Sequence, residues 1–262
     1  MRHFNINCKM SDCIGIATAW SRYAHNTNEY LALLKDNHIF ISSITQEKEG
    51  EIAFKAANNV VKNENNPVFF DLGGGSYQIS KANRDGNSNQ IHVIKGLYGC
   101  INFKYELEDF LLEEGSAEFN DRFLNKSEVE KAKKFIRNNI SDSIACDEDI
   151  YCEDGFPLYG LGANAIIQKF CNDTKISKET IGLLINDFSI LATFARCQQE
   201  YIDIPSHFIK DAQYLMLLAD GVMEGVGTDE LVFINPNLSS SIIAELSTNL
   251  DYSSIVTLSS IF

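Results

Sequence analysis

"FFDLGGGSYQIS", residues 69–80, decides how this chain is read. An apolar run ends in Asp71 and Leu72, three consecutive glycines follow, and after Ser76 an alternating pattern resumes. Glycine weakens a strand because it loses more backbone entropy on folding than any other residue. Three in a row are expected only where the backbone needs dihedrals closed to other residues, or must approach something closely. A strand delivering Asp-Leu-Gly-Gly-Gly-Ser into a hairpin leaves backbone N–H groups free to converge on an anion. Asp71 at the strand end can hold a divalent metal through water, and Ser76 can donate a hydrogen bond to a phosphate oxygen. Without a ligand, the same stretch is a glycine-rich hairpin turn.

Working outward, "IGIATAW" from residue 14 is a short β-branched run and reads as a strand. "SRYAHNTNEYLALLKDN" reads as one helix with Ser21 at its cap, "HIFISSI" as a second strand, and "TQEKEGEIAFKAANNVV" as a helix entered through Thr45. Strand, helix, strand, helix predicts parallel pairing with crossover helices. "VFFDLGG", "YQISKAN" and "QIHVIKGLYG" then predict an antiparallel meander with "RDGNSN" as its middle turn. Helices are expected near 101–114 and 126–142, followed by a strand, "PLYGLG", with a turn at Gly160 and Gly162. Further helices are expected over 164–172, 177–201 and 205–225, then a strand at "ELVFINP" and a last helix at "LSSSIIAELS".

Composition sets limits on function. The 262 residues carry a net charge of −14, which argues against sequence-independent nucleic-acid binding, since that relies on Lys and Arg neutralising phosphates. A polyphosphate site here needs a local basic lining or metal ions to overcome the general field. No apolar run approaches the roughly 20 residues that span a bilayer, so no membrane association is expected. Seven cysteines, an odd number without CxxC or Cys/His spacing, suit reduced thiols in a cytoplasm. Cys146 and Cys152 come nearest to metal spacing, in an acidic loop with no His nearby in sequence, which argues against zinc.

"ATAWSRYAHN", "QEKEGEIAF", "DLGGGS" and "GLYGCINF" resemble, in order and spacing, the exopolyphosphatase / guanosine pentaphosphate phosphohydrolase (Ppx/GppA) family. The resemblance is clear from Ile14 to about Phe103 and fainter from "LYGLGANAIIQKF" onward. It implies an α/β chain with the actin/Hsp70/sugar-kinase-like (ribonuclease H-like) fold, the first half of domain one missing. Residues 1–56 would be a remnant of the first ribonuclease H-like domain, and 57–262 the second, carrying the phosphate loop. The resemblance makes Glu49, before the small residue Gly50, the general base that activates water. Flanking Glu47 and Glu51 would raise its affinity for protons. It makes Arg22 a phosphate ligand, Gly73, Gly74, Gly75 and Ser76 the second phosphate loop, and Asp71 the residue associated with Mg2+. The implied substrates are polyphosphate or guanosine pentaphosphate.

Four departures from the family pattern stand out. The first phosphate loop has no counterpart, and the chain would start at the fourth strand of domain one. That leaves the "IGIATAW" strand with an open edge, for a second copy or a separate N-terminal piece to cover. An acidic residue two after the loop Ser is here Gln78, which binds a metal less well. The Gly-Gly-Thr turn is Gly162, Ala163 and Asn164, and the late Gly-Leu-Arg-Glu-Gly is "NLSSS", Asn237 to Ser241. Three readings stay open: a metal-dependent phosphohydrolase, a relative that binds phosphate, nucleotide or a partner protein without turnover, and another actin-like ATPase with Gly162 cradling adenosine.

Overall fold

A computed structural model describes residues 13–62, 66–82, 90–119, 122–153, 155–187, 193, 206–236 and 238. Two sheets organise it. In the smaller, β1 (Cys13–Ala17) pairs in parallel with β2 (Ile39–Ser43), Ala17 lying opposite Ser43. The chain between them forms two helices, α1 (Ala19–Tyr23) and α2 (Thr27–Asp36), rather than the single helix expected. Ser21 lies inside α1 and is not a cap. The expected crossover is kept, with a break at Ala24–Asn26.

Next comes α3 (Gln46–Asn58), capped as expected by Thr45, whose hydroxyl accepts from the Lys48 N–H at 3.2 Å. Ala53, Phe54 and Ala57 on its inner face pack on Phe69, Tyr159 and Leu161 of the larger sheet. That sheet has six strands: β3 (Val68–Leu72), β4 (Tyr77–Ala82), β5 (Ile91–Gly96), β6 (Leu158–Gly162), β7 (Lys175–Ser177) and β8 (Glu230–Phe233), in the order β5-β4-β3-β6-β8-β7. The β3-β4-β5 meander is antiparallel, whereas β3 pairs with β6 and β6 with β8 in parallel. β3 is therefore central, with a hairpin on one side and a parallel crossover on the other. Its burial matches: Val68, Phe69, Phe70 and Leu72 are each at most 1% exposed. The "RDGNSN" turn and the "LSSSIIAELS" helix fall outside the described residues, as does most of 177–201 beyond α8.

The opposite face of the sheet is covered by α4 (Asn102–Glu113), α5 (Lys126–Ile136), α6 (Asp142–Ala145), α7 (Asn164–Cys171), α8 (Lys178–Asn186) and α9 (Ser206–Val226). Together with β3, β4 and β6 these helices form the main core, in which Phe103, Leu107, Leu111, Met216 and Met223 are fully buried. The run 126–142 is not one regular helix. Arg137–Ser141 is π-helical, and there the buried Ser141 hydroxyl donates to the Gly221 carbonyl of α9 at 2.9 Å. β7 is a strand of three residues, antiparallel to β8, in the interval the sequence left unassigned between the expected helices 164–172 and 177–201.

Candidate functional site

The segments that follow the carboxyl ends of β1, β2 and β3 converge, the usual place for a ligand in sheets of this kind. α1 is fixed by Ser21, whose hydroxyl donates to Thr18 O at 2.8 Å and bonds the Ser43 hydroxyl at 2.7 Å. This aims Arg22, in the last turn of α1, across the ends of the strands. Its Nη1 donates to Ile44 O at 3.2 Å, and its Nη2 to Glu49 Oε2 at 2.8 Å and to Ser76 Oγ at 3.1 Å. One guanidinium thus touches all three segments, and its Nε is buried with no partner among the described residues.

Glu49 is held by the seating of α3. Gln46, buried in the first turn, donates to Tyr77 O at 2.9 Å and Gly96 O at 2.8 Å, pinning the helix to the ends of β4 and β5. Gly50 lets the helix press inward, since a Cβ there would lie 2.6 Å from Val93 Cγ1 and 3.3 Å from Gln78 Cβ. The small residue after Glu49 therefore has a physical reason: anything larger would lift Glu49 off Gln78. Gln78 is 1% exposed, and its Nε2 donates to Glu49 Oε2 at 3.4 Å and to Ser76 Oγ at 3.3 Å.

The glycine loop departs from one sequence expectation. None of Gly73, Gly74 and Gly75 has a positive φ, so left-handed dihedrals are not why they are glycines. Close approach accounts for two of them: a Cβ on Gly73 would fall 3.1 Å from Ser76 O and one on Gly75 3.2 Å from Ala19 Cβ, whereas one on Gly74 would meet only Ile101 Cδ1 at 3.5 Å. Gly99 packs against the loop, since a Cβ on it would fall 2.3 Å from the Gly74–Gly75 peptide. The loop is tied down by Cys100 N–H to Gly73 O and Ile101 N–H to Gly74 O, both 2.9 Å, and by Asn102 Nδ2 to Gly75 O at 3.1 Å. These contacts use carbonyls. Among the described residues nothing accepts from the N–H groups of Gly74, Gly75 and Ser76, which leaves three successive donors for an anion.

Asp71 forms the floor. It lies opposite Gln78 across the β3–β4 pair and opposite Leu161 on β6. No described donor reaches its carboxylate. Burial, and secondarily the charge of Glu49, push its pKa from 3.8 to about 7. Gly162 has φ +69°, and a Cβ on it would lie 2.7 Å from Asp71 Oδ1 and 2.5 Å from Leu72 O. Beside it, buried Asn164 donates to Phe70 O at 3.1 Å and Leu161 O at 2.9 Å, fastening β3 to β6. The Gly162-Ala163-Asn164 turn thus forms one wall beside Asp71.

All the residues singled out in the sequence come together here: Arg22, Glu49 and Ser76 in direct contact, Asp71 and the three glycines around them. Glu47 and Glu51, the two flanking acids, each face a lysine. Lys95 stands 3.8 Å from Glu47, and Lys48 is 2.9 Å from Glu51. The acidic neighbour that interacts with Glu49 is Asp71. Gln46 was not anticipated. Its only signal is its position in the first turn of a capped helix. A groove of about 450 Å³, lined by Arg22, Ser43, Ile44, Thr45, Gln46, Glu47 and Lys95, opens beside the site and supplies some of the basic lining that the net charge demands. Elsewhere, folding brings His92 of β5 within 2.9 Å of Asp147 in the acidic loop, with Asp149 close by. A hydrogen bond between the His92 ring and the Asp147 carboxylate holds that cluster together.

Comparison with known proteins gives a consistent picture. A sequence model of the Ppx/GppA phosphatase family matches residues 3–146. The crystal structure of the Aquifex aeolicus Ppx/GppA family member superposes with a TM-score of 0.63 at 17% identity, covering 89% of this chain and 74% of that one. An exopolyphosphatase from Cytophaga hutchinsonii gives 0.63 at 14% identity, over 89% of this chain and 74% of its own. An exopolyphosphatase-like protein gives 0.63 at 15% identity, over 90% and 77%. At such identities the likeness shows the fold alone, the actin-like, ribonuclease H-like one that the sequence motifs implied. No curated protein matches the chain. No described helix is long and apolar enough to cross a membrane.

Proposed function

The chain belongs to the Ppx/GppA phosphatase family, and from that premise we propose that it hydrolyses the terminal phosphate of a polyphosphate or of guanosine pentaphosphate. The observation that carries this reading is the shared guanidinium: Arg22 bonds Glu49 and Ser76 together, while its buried Nε has no partner among the described residues. An unpaired buried donor is costly unless a ligand satisfies it. A terminal phosphate would accept from Arg22 and from the free N–H groups of Gly74, Gly75 and Ser76. Arg22 would turn part of its bonding from Glu49 to the phosphate, freeing that carboxylate to act as base.

In the step itself, a water oxygen bonds to the terminal phosphorus and gives its proton to Glu49. The bridging P–O bond breaks, and its electron pair leaves on the shortened chain. The products are orthophosphate and a chain one phosphate shorter. Asp71 fits a divalent cation such as Mg2+: its carboxylate has no protein donor, and burial makes its charge unfavourable until a cation compensates it. Such an ion would neutralise charge on the phosphate oxygens. Holding that charge falls otherwise to Arg22 and the loop.

The test is phosphate release from polyphosphate and from guanosine pentaphosphate, with magnesium, by wild type and Glu49→Gln. The variant is nearly isosteric and should lower turnover by roughly 10²–10⁴-fold, as expected for a lost general base, while still binding inorganic phosphate. Equal turnover by the two proteins would remove Glu49 as the base. Phosphate binding without release by wild type would make the chain a binding module instead.

A further inference from the structure

Gln78 is the residue in this site that family resemblance leaves without a role, since an acidic side chain usually stands there. The residue is 1% exposed and its Nε2 is committed to Glu49 and Ser76. The other end, Oε1, is buried and has no partner among the described residues. This orientation follows from chemistry, because turning the amide over would set its oxygen against the Glu49 carboxylate, acceptor against acceptor. A buried acceptor left empty is costly, and such atoms are ordinarily satisfied by protein or by ordered water. Its partner is a hydrogen donor or a cation. A terminal phosphate is largely ionised near neutral pH, whereas water always has two hydrogens to offer.

We infer that Gln78 positions the attacking water: Oε1 accepts one of its hydrogens while Glu49, bonded to the same amide, takes the other as the O–P bond forms. This rests on the phosphohydrolase reading above. Gln78 is then a positioning residue, acting with Glu49 on one water. A glutamine that orients a water for attack on phosphate is established chemistry in GTP-hydrolysing enzymes. Here the fold supplies it from β4, directly opposite Asp71. A carboxylate in its place would put a second negative charge against Glu49 and offer a metal ligand. The amide keeps the site's orienting acceptor without that charge.

The experiment compares wild type, Gln78→Met, Gln78→Glu, Glu49→Gln and the Gln78→Met/Glu49→Gln double variant. Each is assayed for release from tripolyphosphate across pH and magnesium concentration, and for inorganic phosphate affinity by calorimetry. Gln78→Met preserves volume without an amide. It should lower kcat about 10²-fold, as loss of orientation does, with phosphate affinity and the magnesium requirement unchanged. Because both residues act on one water, the double variant should be no slower than Glu49→Gln alone, a non-additivity that a merely structural role would not produce. Gln78→Glu should move the acidic limb of the kcat profile to higher pH, through like-charge repulsion of Glu49. An additive double variant, or a loss confined to KM, overturns the inference. So does a raised magnesium requirement in Gln78→Met, which would make Oε1 a metal ligand. Normal kcat in Gln78→Met beside an active wild type refutes this role alone, whereas an inactive wild type removes the hydrolase reading beneath it.

Discussion

Replacing Asp71 by Asn should stabilise this protein at neutral pH and do progressively less for it in acid. The Asp71 carboxyl is raised from 3.8 to about 7, first by burial and then by the charge of Glu49. Between those values the folded chain holds a proton that the unfolded chain has released. The stability this provides is whole below the unfolded value and lost as pH rises through the folded one. At about 1.36 kcal/mol per pH unit, the full window amounts to roughly 4 kcal/mol and the part above pH 5.5 to about 2 kcal/mol. The asparagine variant has no such titration, so its advantage over wild type should grow by about 2 kcal/mol between pH 5.5 and 8.5. The assay is urea denaturation of both proteins across that range in the presence of a chelator, with the difference between them isolating Asp71 from every other group. Glu49→Gln should narrow the widening, since it removes the secondary cause. A difference that stays flat with pH, or shrinks as pH rises, would refute the electrostatic account of the site's floor.

Two further expectations follow from the glycines. Gly50→Ala places a Cβ 2.6 Å from Val93 Cγ1, which should cost about 1–3 kcal/mol as overpacking does and reduce turnover by lifting Glu49; adding Val93→Ala should restore both, and failure of that rescue would sink the packing argument. Gly74→Val meets only Ile101 Cδ1 at 3.5 Å, so thermal denaturation should detect a change within about 1 kcal/mol, while calorimetry should find inorganic phosphate binding lost as the side chain covers the loop's N–H groups. Unchanged phosphate affinity in the folded variant would return the loop to a plain turn.

How much of this was legible beforehand depends on how local each cause is. Strand and helix order could be read because Gly, Asn and Pro punctuate the chain and Thr45 caps α3. The break between α1 and α2 could not, because "YAHNTN" contains neither Gly nor Pro and its polar residues suit a helix surface as well as a bend. β7 was invisible for its length. The π-helical stretch was hidden by a sequence that suits an α-helix, its irregularity being set by contact with Gly221. In the site, residues with distinctive chemistry could be placed by pattern alone. Gln46 could not, since a glutamine reads as a surface residue until the strand opposite it is known, and for Gln78 the pattern gave the position but not its bonds to Glu49 and Ser76.

The glycine run was open to two reasons, dihedrals closed to other residues or a close approach to something. The positive φ at this site belongs to Gly162 on a different strand, wedged against Leu72 O and Asp71. Ser76 O and Ala19 crowd any Cβ on Gly73 and Gly75, and Gly99 packs against the Gly74–Gly75 peptide. That packing directs the loop's carbonyls toward Cys100, Ile101 and Asn102 and leaves its N–H groups unpaired. It also resolves the conflict posed by a net charge of −14. Backbone donors and Arg22 offer an anion partners at this site. Of the two acids in the site, Glu49 is bound to that arginine, and Asp71 holds its proton to about pH 7. The site is locally far less acidic than the protein that surrounds it, because burial and one ion pair, rather than a surplus of basic residues, restrain its negative charge.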